Sequence, residues 1–330
     1  MASSRALLDV PALHDDLARV DRALLDAVET EDELLTEIAG HLIKAGGKRL
    51  RPAFVIGAAA ARTTGASAAP DDVLAGGVAV ELVHLGSLYH DDVMDEAQTR
   101  RTVPSVNARW GNLQAILAGD FLLARASEIA ASLGTEVAGL LASTIANLCE
   151  GQVRELQTMF DTGRTVDSYL AAVHGKTATL LANSCRIGAV IAGLGAADVD
   201  RLTAFGADYG MAFQIVDDVL DVVATTEQLG KPAGNDLVEG VYTLPVLRAL
   251  DGEGGDALRD LLGRKLSGGE RDTARQLVRS NGAVGASLGE ARTYLDRALC
   301  HLEPFGPSFG ADALAAVAGQ LLDSVPAVAA

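Results

Sequence analysis

A five-residue acidic pattern occurs twice in this chain, and each copy lies inside a strongly apolar stretch. Residues 91–95 read Asp-Asp-Val-Met-Asp, and residues 217–221 read Asp-Asp-Val-Leu-Asp. In a helix, the first and last aspartates of each copy lie one turn apart on the same face. Carboxylates one helical turn apart repel each other. Two such copies in core-like helices therefore require a partner that neutralises their charge. Oxygen-only ligands at this density favour Mg²⁺, which takes further ligands from water and substrate phosphates.

The composition predicts an all-α protein. The chain has 330 residues, of which 49% are hydrophobic, 22% charged and only 4% aromatic, so a large core must be built mainly from Ala, Leu and Val. Ala and Leu form helices readily, and the valines never fall in short alternating runs bounded by turns. No Pro/Ser-rich linker or shift in composition divides the sequence, so residues 1–330 are predicted to form a single domain.

The net charge of −17 disfavours several classes of partner. It would repel nucleic acid and anionic lipid headgroups at long range, so a polyanionic substrate must be met by local basic groups. The first residues lack the basic segment and apolar core of a signal peptide. The longest apolar runs fall short of the roughly 18 residues of a membrane span. We therefore expect a cytoplasmic protein without an integral membrane segment.

Glycine, proline and capping residues divide the sequence into predicted helices. Two regions between them are predicted to be loops, Arg100–Pro104 after the first acidic pattern and Gly230–Gly240 after the second. The predicted helices span about 11–43 (as one or two helices), 52–61, 71 to the first acidic pattern, 114–133, 135–159, 166–191, 198–223 and 243–250.

A cluster of basic residues follows a glycine pair. Lys48, Arg49 and Arg51 come after Gly46-Gly47, at the start of a predicted helix. Backbone N–H groups, two or three cationic side chains and a helix N-terminus can therefore converge on one anion, as a diphosphate cradle. The segment lacks the spacing of a Walker loop, and taken alone it would more often be a solvated basic turn.

Further polar residues lie near the two acidic patterns. Arg100 and Arg101 are adjacent and so point in different directions, which lets each serve a different phosphate group, although singly they would be exposed loop charges. His84 lies two turns before Asp91, where a lone histidine is more often a satisfied core residue. Lys176, in an apolar helical segment, could as readily be a lysine that reaches the surface. The other polar residues near the acidic patterns are Thr177, Gln214, which lies three residues before Asp217, and Lys231 in the predicted loop.

Six short segments carry these residues along the chain. They are Gly46–Pro52 (Gly-Gly-Lys-Arg-Leu-Arg-Pro), His90–Asp95, Arg100-Arg101, Gly175–Thr177, Phe213–Asp221 and Gly230–Pro232. In this order they resemble the motifs of the trans-polyprenyl diphosphate synthases, over roughly residues 40–250. The resemblance implies a single-domain helical bundle of the isoprenoid synthase type with a central substrate cavity. It also implies a homodimer and up to three Mg²⁺ ions bridged to the substrate diphosphate.

The resemblance assigns a role to each residue. The isopentenyl diphosphate site would consist of Gly47, Lys48, Arg51, His84 and Arg101. The allylic diphosphate site would consist of Arg100, Lys176, Thr177, Gln214 and Lys231. The Mg²⁺ ligands would be Asp91, Asp95, Asp217 and Asp221, and Asp92 and Asp218 would assist directly or through water. These six aspartates and Lys176 are the expected catalytic residues. Val241-Tyr242 departs from the family, many of whose members have a lysine there, so any cation must come from elsewhere.

The implied reaction joins isopentenyl diphosphate to an allylic diphosphate such as farnesyl or geranylgeranyl diphosphate. Mg²⁺ and the cations would stabilise the departing diphosphate, so that the allylic C–O bond ionises. The isopentenyl double bond then attacks the carbocation, and the released diphosphate is the expected proton acceptor. No protein nucleophile is needed, which agrees with the lack of a Ser-His-Asp arrangement among these residues.

Product length should depend on the side chains one and two turns before Asp91. Gly86, Ser87 and Val83 occupy that face and are small or medium in size. Short-chain members of the family commonly place an aromatic residue one turn before the pattern. The nearby Tyr89 should point off this line, at about 100° per residue. We therefore predict all-trans products longer than C20.

Four alternatives stay open at this point. A geranylgeranyl or farnesyl diphosphate synthase would result if a neighbouring helix or the partner subunit closed the pocket. A noncatalytic subunit of a heteromeric synthase should have lost acidic or basic positions, and none of the main ones is missing. A terpene cyclase should carry a different second motif and no Gly-Gly-Lys-Arg segment. A structural helix bundle would not explain why cations and carboxylates recur at these positions. The preferred allylic primer and the need for a partner subunit are also open.

Overall fold

The computed structural model describes residues 11–225 and 233–324, and this part of the chain is mainly helical, with one short hairpin. The all-α prediction is confirmed. The elements are α1 (Pro11–Ala27), α2 (Glu33–Ala39), α3 (His41–Lys44), α4 (Leu50–Ala59), α5 (Asp71–Met94), β1 (Thr99–Arg100), β2 (Val103–Pro104), α6 (Val106–Trp110), α7 (Asn112–Ser132), α8 (Thr135–Gln157), α9 (Val166–Val173), a π-helical turn (His174–Ala178), α10 (Thr179–Ile191), α11 (Ala196–Val223), α12 (Asn235–Glu239), α13 (Leu244–Asp251), α14 (Gly255–Leu261), α15 (Gly268–Ser280), α16 (Ala283–Leu302), a 3₁₀ turn (Glu303–Phe305), α17 (Phe309–Gln320) and a second 3₁₀ turn (Leu322–Ser324).

The two helices that carry the acidic patterns, α5 and α11, form the centre of the bundle. Helix α5 packs against α7, α4 and α10, and α11 packs against α10 and α16. Small residues make this close packing possible. A Cβ atom on Gly188 of α10, for example, would lie 2.1 Å from the carbonyl oxygen of Val55 in α4. Because the core contains few aromatic side chains, the helices approach closely and hold both acidic patterns in fixed positions.

Several predicted boundaries differ from the structure. The first predicted helix, 11–43, is three helices, because turns at residues 28–32 and at Gly40 interrupt it. The predicted helix 166–191 is interrupted by the π-helical turn, and its cap is Thr165, whose side chain accepts from the N–H of Ser168. Residues 100–104, predicted to be a loop, belong to a short antiparallel hairpin. Of the predicted loop 230–240, residues 230–232 lie outside the described part of the chain.

One helix among the described residues, α5, is long and apolar enough to cross a membrane by length and composition. However, 72% of the 18-residue apolar stretch of this helix is buried inside the fold. The same helix carries His84 and the first acidic pattern. A buried core helix meets the same criteria, and α5 occupies that place here.

Candidate active site

A cavity of about 530 Å³ lies between the end of α5, the β1–β2 hairpin, and helices α8, α9, α11 and α12. It brings together residues that are far apart in sequence. The predicted site residues that line it are Asp95, Arg100, Lys176, Thr177, Gln214, Asp217 and Asp218. Asp91 and Asp221 belong to the same two patterns but do not line this cavity.

The first acidic pattern ends α5. Asp95 is the C-cap of the helix, and its backbone N–H donates to the carbonyl oxygen of Asp91 at 2.8 Å. Burial raises the pKa of Asp91, and the nearby Lys176 opposes that rise. Asp92 is fully buried and accepts a hydrogen bond from Nε of Arg100 at 2.7 Å. Asp92 therefore holds Arg100 in place and does not face the cavity.

The β1–β2 hairpin separates the two adjacent arginines. Its two-residue turn is Arg101-Thr102, and both residues have positive φ, which is uncommon for side chains of this size. Arg100 turns toward Asp92 and the cavity, whereas Arg101 donates to the carbonyl oxygens of Leu42, at 3.1 Å, and Gly46. The prediction that these arginines point in different directions is confirmed.

The second acidic pattern is joined to α9 and the π-helical turn by a chain of hydrogen bonds. Oγ1 of Thr177 donates to Oε1 of Gln214 at 2.8 Å, and Nε2 of Gln214 donates to Oδ1 of Asp218 at 2.8 Å. The hydroxyl of Tyr169 donates to Oδ2 of Asp218 at 2.5 Å. Burial raises the pKa of Asp218 to about 7, although both hydrogen bonds act to lower it. Asp217, one residue earlier, is exposed to the cavity.

Lys176 lies on the π-helical turn His174–Ala178, a deviation that often marks functional sites. Its Nζ donates to Oε1 of Glu155 on α8 at 2.6 Å. Burial lowers the pKa of Lys176, but Glu155 and Asp91 raise it above its ordinary value. The turn rests directly on Gly151 of α8, where a Cβ atom would lie 2.5 Å from the backbone nitrogen of Lys176. The position of Lys176 therefore depends on the missing side chain at Gly151.

The predicted isopentenyl site forms a second polar region, which we call the basic cradle: Gly47, Lys48, Arg51, His84 and Arg101. A Cβ atom on Gly47 would lie 2.7 Å from Nη1 of Arg101, so this loop and the hairpin are in contact. Burial lowers the pKa of Arg51 to about 10. Burial, Arg51 and Arg101 lower the pKa of His84 well below its ordinary value, so His84 is neutral at pH 7. Lys48 is exposed.

Arg49 does not join the basic cradle, although the sequence allowed it as a third cation. It is the N-cap of α4 with φ of 47°, and its guanidinium is buried. Nε donates to Asp21 at 2.6 Å, and Nη1 donates to Glu81 at 3.0 Å. Arg49 therefore ties the loop to α1 and α5. The segment offers two cations, Lys48 and Arg51, to an anion.

The residues expected to control product length differ in their surroundings. Val83 is fully buried in the core. Gly86 faces α7, and a Cβ atom there would lie 3.1 Å from the carbonyl oxygen of Gly119. Ser87 is half-buried, and its hydroxyl donates to the carbonyl oxygen of His84 at 2.8 Å. Of the three, Ser87 is the position where a larger side chain meets the least close packing.

Tyr89 is directed away from this face, as predicted. Its ring is fully buried, and its hydroxyl donates to the carbonyl oxygen of Ile38 at 2.8 Å, at the end of α2. The nearest aromatic residue before the acidic pattern therefore packs against a different helix. It does not lie one turn below Asp91.

Several residues of the site were missed in the sequence. Glu155 and Tyr169 line the cavity, but each is a single residue in a helix with no motif around it. Lys265 was also missed; it lines an adjoining cavity of about 540 Å³. Val241, which the sequence had singled out as a departure from the family, lines both cavities. Arg164 is buried nearby and donates to the carbonyl oxygen of Tyr242 at 3.0 Å. Lys231 lies outside the described residues.

The donor set agrees with a hard cation. Within residues 11–225 and 233–324, no three carboxylate, imidazole or thiolate groups lie close enough together to hold an ion by themselves. The carboxylates around the cavity offer only oxygen ligands, which suit Mg²⁺. An ion of this kind usually relies on few carboxylates and completes its shell with water and phosphate oxygens. The residues therefore fit a metal that arrives with a diphosphate.

Comparison with known proteins identifies the family. The family model described as polyprenyl synthetase matches residues 32–279. Heptaprenyl diphosphate synthase component 2 of Geobacillus stearothermophilus is 42% identical over 288 residues, which cover 87% of this chain and 89% of that protein. Nonaprenyl diphosphate synthase of Mycobacterium tuberculosis is 40% identical over 281 residues, which cover 85% of this chain and 82% of that protein.

Solved structures agree with the sequence comparison. Polyprenyl synthase from Caulobacter crescentus, crystallised with calcium and isoprenyl diphosphate, matches with a TM-score of 0.90 and 34% identity over 97% of this chain and 98% of that chain. Geranylgeranyl pyrophosphate synthases are also among the solved structures that match. The fold, the order of the motifs and these matches lead to one conclusion: the chain belongs to the polyprenyl synthetase family and is a prenyltransferase.

Proposed function

We propose that this enzyme condenses isopentenyl diphosphate with an allylic diphosphate, such as farnesyl or geranylgeranyl diphosphate, to make a medium- or long-chain all-trans polyprenyl diphosphate. One observation carries the proposal. Arg100 lines a carboxylate-rich cavity, whereas the adjacent Arg101 belongs to a separate basic cradle, so the fold offers two places for two diphosphate groups. A cyclase that uses one diphosphate substrate would have no need of the second place.

The chain's own residues have distinct roles in this reaction. Arg100, Lys176 and Thr177 would donate hydrogen bonds or positive charge to the leaving diphosphate of the allylic substrate. Lys176 would exchange Glu155 for a phosphate oxygen as the substrate binds. The basic cradle would hold the isopentenyl diphosphate, with neutral His84 as a hydrogen-bonding group. The apolar side chains beneath α5 would surround the carbocation and keep water away from it.

Mg²⁺ is the proposed cofactor, and Asp91, Asp95, Asp217 and Asp221 are its proposed protein ligands. Bound there with the diphosphate, it would supply positive charge against the departing oxygens. Asp92 and Asp218 are better described as supports. Asp92 is bonded to Arg100, and Asp218 to Tyr169 and Gln214, so each orients a neighbouring residue of the site.

The proposed product is longer than C20. Support comes from the small side chain at Ser87, from Tyr89 being bonded to α2, and from relatives named heptaprenyl, nonaprenyl and solanesyl diphosphate synthases. A short-chain product, farnesyl or geranylgeranyl diphosphate, is the alternative if another subunit closes the pocket. The chain length of the products decides between these two.

We also propose that the enzyme is a homodimer that pairs through α7 and α8. Exposed apolar side chains with i, i+3, i+4 spacing lie at the start of α7, namely Leu113, Ile116 and Leu117. Val153 and Leu156 are exposed near the end of α8. Such a cluster of large apolar side chains is typical of a protein interface. Sedimentation of the wild type and of a Leu113→Asp, Leu117→Asp variant would test it, with a monomeric variant expected.

A second candidate is suggested by the names of two relatives, which are each called component 2 of a heptaprenyl diphosphate synthase. The present chain would then be one part of a two-part enzyme. Because its acidic and basic positions are complete, we propose that it is the catalytic part. A dependence of turnover on a second polypeptide would favour this candidate.

The test is incubation of the purified protein with Mg²⁺, labelled isopentenyl diphosphate and several allylic diphosphates, followed by separation of products by chain length. We expect long all-trans products, and a fall in turnover of about 100-fold or more in Asp91→Ala and Asp217→Ala. Asp72→Ala, an exposed aspartate in the first turn of the same helix α5, is the matched control and should behave as wild type.

Two other outcomes would contradict the proposal. Cyclic hydrocarbon formed without isopentenyl incorporation would make the protein a cyclase. No turnover with any allylic primer, with or without a second polypeptide, would make it a noncatalytic subunit.

A further inference from the structure

Glu81 is a buried carboxylate beneath the basic cradle, one helical turn before His84 on α5. It is 1% exposed, and its Oε1 accepts from Nη1 of Arg49 at 3.0 Å. Its Oε2 is also buried and has no hydrogen-bond partner among the residues that the structure describes. A buried carboxylate is costly unless charges and hydrogen bonds compensate it. The position of Glu81 therefore calls for an explanation.

Glu81 first stabilises the loop before α4, in which Arg49 lies. Arg49 adopts a left-handed backbone conformation, which is unfavourable for a side chain of this size. Its guanidinium compensates by three contacts: with Glu81 on α5, with Asp21 on α1 and with the carbonyl oxygen of Ile43 on α3. Of the two carboxylates, Glu81 is buried and Asp21 is 53% exposed. Glu81 is therefore the firmer attachment of this loop to the core.

Glu81 also offsets the charge of the cradle itself. Burial lowers the pKa of both Arg51 and Arg101, and a neighbouring arginine lowers each pKa further. The charge of Glu81 acts in the opposite direction on Arg49, Arg51 and Arg101. Nε of Arg51 is itself buried without a hydrogen-bond partner in the described part of the chain. Several arginines are thus held around one internal anion.

We propose that Glu81 is a positioning residue for the isopentenyl diphosphate site. It fixes the loop of Gly47 and Lys48 through Arg49, and it keeps Arg51 and Arg101 gathered on one side before a diphosphate binds. Glu81 touches neither substrate. The proposal rests on the proposed function, because it assigns the cradle to the isopentenyl diphosphate.

The direction in which Glu81→Gln changes diphosphate affinity separates a positioning role from simple charge repulsion. If Glu81 were only a negative charge near an anion site, Glu81→Gln would remove a repulsion and strengthen diphosphate binding. If Glu81 positions the cradle, the same substitution weakens binding, because Arg49, Arg51 and Arg101 lose the buried negative charge near them. The neutral amide can offer Arg49 only a weaker hydrogen bond. The substitution conserves shape, so packing changes little.

The experiment compares steady-state kinetics of wild type and Glu81→Gln at saturating Mg²⁺. We expect the KM for isopentenyl diphosphate to rise by about tenfold or more, the loss expected when one charge-assisted hydrogen bond to the substrate is misaligned. The KM for the allylic diphosphate should stay within about twofold, because that site uses other residues. A KM for isopentenyl diphosphate that is unchanged or lower would overturn the proposal.

Asp21→Asn is the matched control, since Asp21 binds the same arginine from its exposed side. Half-exposed ion pairs contribute little, so its KM for isopentenyl diphosphate should stay within about threefold of wild type. An equal rise in both variants would mean that any weakening of Arg49 has this effect, and would overturn the role of Glu81. If Glu81→Gln does not fold, Glu81→Asp keeps the charge and withdraws the carboxylate from Arg49. It should raise the same KM by a smaller factor, and an unchanged KM would contradict the proposal.

Calorimetric titration of isopentenyl diphosphate, without an allylic substrate, separates this proposal from the proposed function. Wild type that binds isopentenyl diphosphate but does not elongate an allylic primer would refute the function while leaving Glu81 testable by affinity. Weaker binding in Glu81→Gln is the expected result there too. Equal or tighter binding would refute the positioning role even in an active synthase.

Discussion

Replacing Gly151 with alanine should impair catalysis far more than it impairs folding. Gly151 lies on α8 under the π-helical turn, and a Cβ atom there would lie 2.5 Å from the backbone nitrogen of Lys176 and 2.9 Å from the carbonyl carbon of Gly175. Both neighbours are backbone atoms, so no flexible side chain can move aside. The turn that carries Lys176 and Thr177 must therefore shift as a unit.

The structure sets the size of the shift. Ordinary van der Waals contact begins at 3.4 Å, so the turn must move by about 0.9 Å. A misplacement of about 1 Å at a catalytic group can lower the rate about 100-fold. We therefore expect kcat/KM for the allylic diphosphate to fall by about that factor. For stability, overpacking costs about 1–3 kcal/mol, and the better helix propensity of alanine returns about 1 kcal/mol.

The matched control is Gly139→Ala on the same helix. Gly139 is exposed, and a Cβ atom there meets nothing within 4 Å. This variant should keep full activity and gain about 1 kcal/mol of stability, which for a chain of 330 residues raises the Tm by about 1–2 °C. The assay is steady-state kinetics with the allylic substrate varied, paired with thermal unfolding. Wild-type kcat/KM in Gly151→Ala would refute the reasoning, because it would show that the turn can yield without displacing Lys176.

Three other predictions concern neighbouring residues of the site. Ser87→Phe should shorten the product distribution measured by chromatography, whereas Gly86→Phe should lower the Tm instead, because that residue packs against α7; unchanged products in a folded Ser87→Phe would place the pocket floor elsewhere. Tyr169→Phe leaves a buried oxygen of Asp218 without its donor, which should cost about 1–3 kcal/mol of stability; an unchanged unfolding midpoint in denaturant would contradict this. The pKa of Asp218 is about 7 in the folded protein, above its unfolded value, so the metal-free folded state binds this proton more tightly than the unfolded state does. The Tm should therefore fall as the pH rises from about 4 to 7. The fall should be smaller in Asp218→Asn.

The sequence predicted the residues that repeat or cluster, and missed those that are brought in singly by the fold. Both acidic patterns and the Arg100-Arg101 pair could be recognised from their local spacing. The two arginines point to different sides of the hairpin because adjacent side chains point apart. Glu155 and Tyr169 reach the cavity only because α8 and α9 pack beside α11. No local sequence pattern predicts such residues, because long-range packing brings them to the site.

Arg49 is a case that the sequence left open. Its place between Lys48 and Arg51 allowed a third cation for a diphosphate, but its left-handed backbone turns the side chain inward to Glu81. A single backbone torsion decided this, and no spacing rule predicts a positive φ at an arginine. The helix boundaries around it were predicted to within a few residues, because caps and glycines act locally.

The two halves of the site differ in their balance of charge, and this difference predicts how each binds a diphosphate. Against two cations, Arg100 and Lys176, the cavity is lined by an excess of carboxylates: Asp95, Glu96, Glu155, Asp217, Asp218, Asp236 and Glu239. In the basic cradle, the cations Lys48, Arg51 and Arg101 outnumber Glu81, the buried carboxylate beneath them.

An allylic diphosphate therefore needs divalent ions to offset the carboxylates, whereas isopentenyl diphosphate can bind to the cradle's own cations. Calorimetric titration in the presence of a chelator should abolish binding of the allylic diphosphate and leave binding of isopentenyl diphosphate within about threefold, because direct charge-assisted hydrogen bonds to guanidinium groups supply most of its affinity. Equal loss of both would mean that metal ions also organise the cradle, and the division of the site into a metal-dependent half and an arginine-dependent half would be wrong.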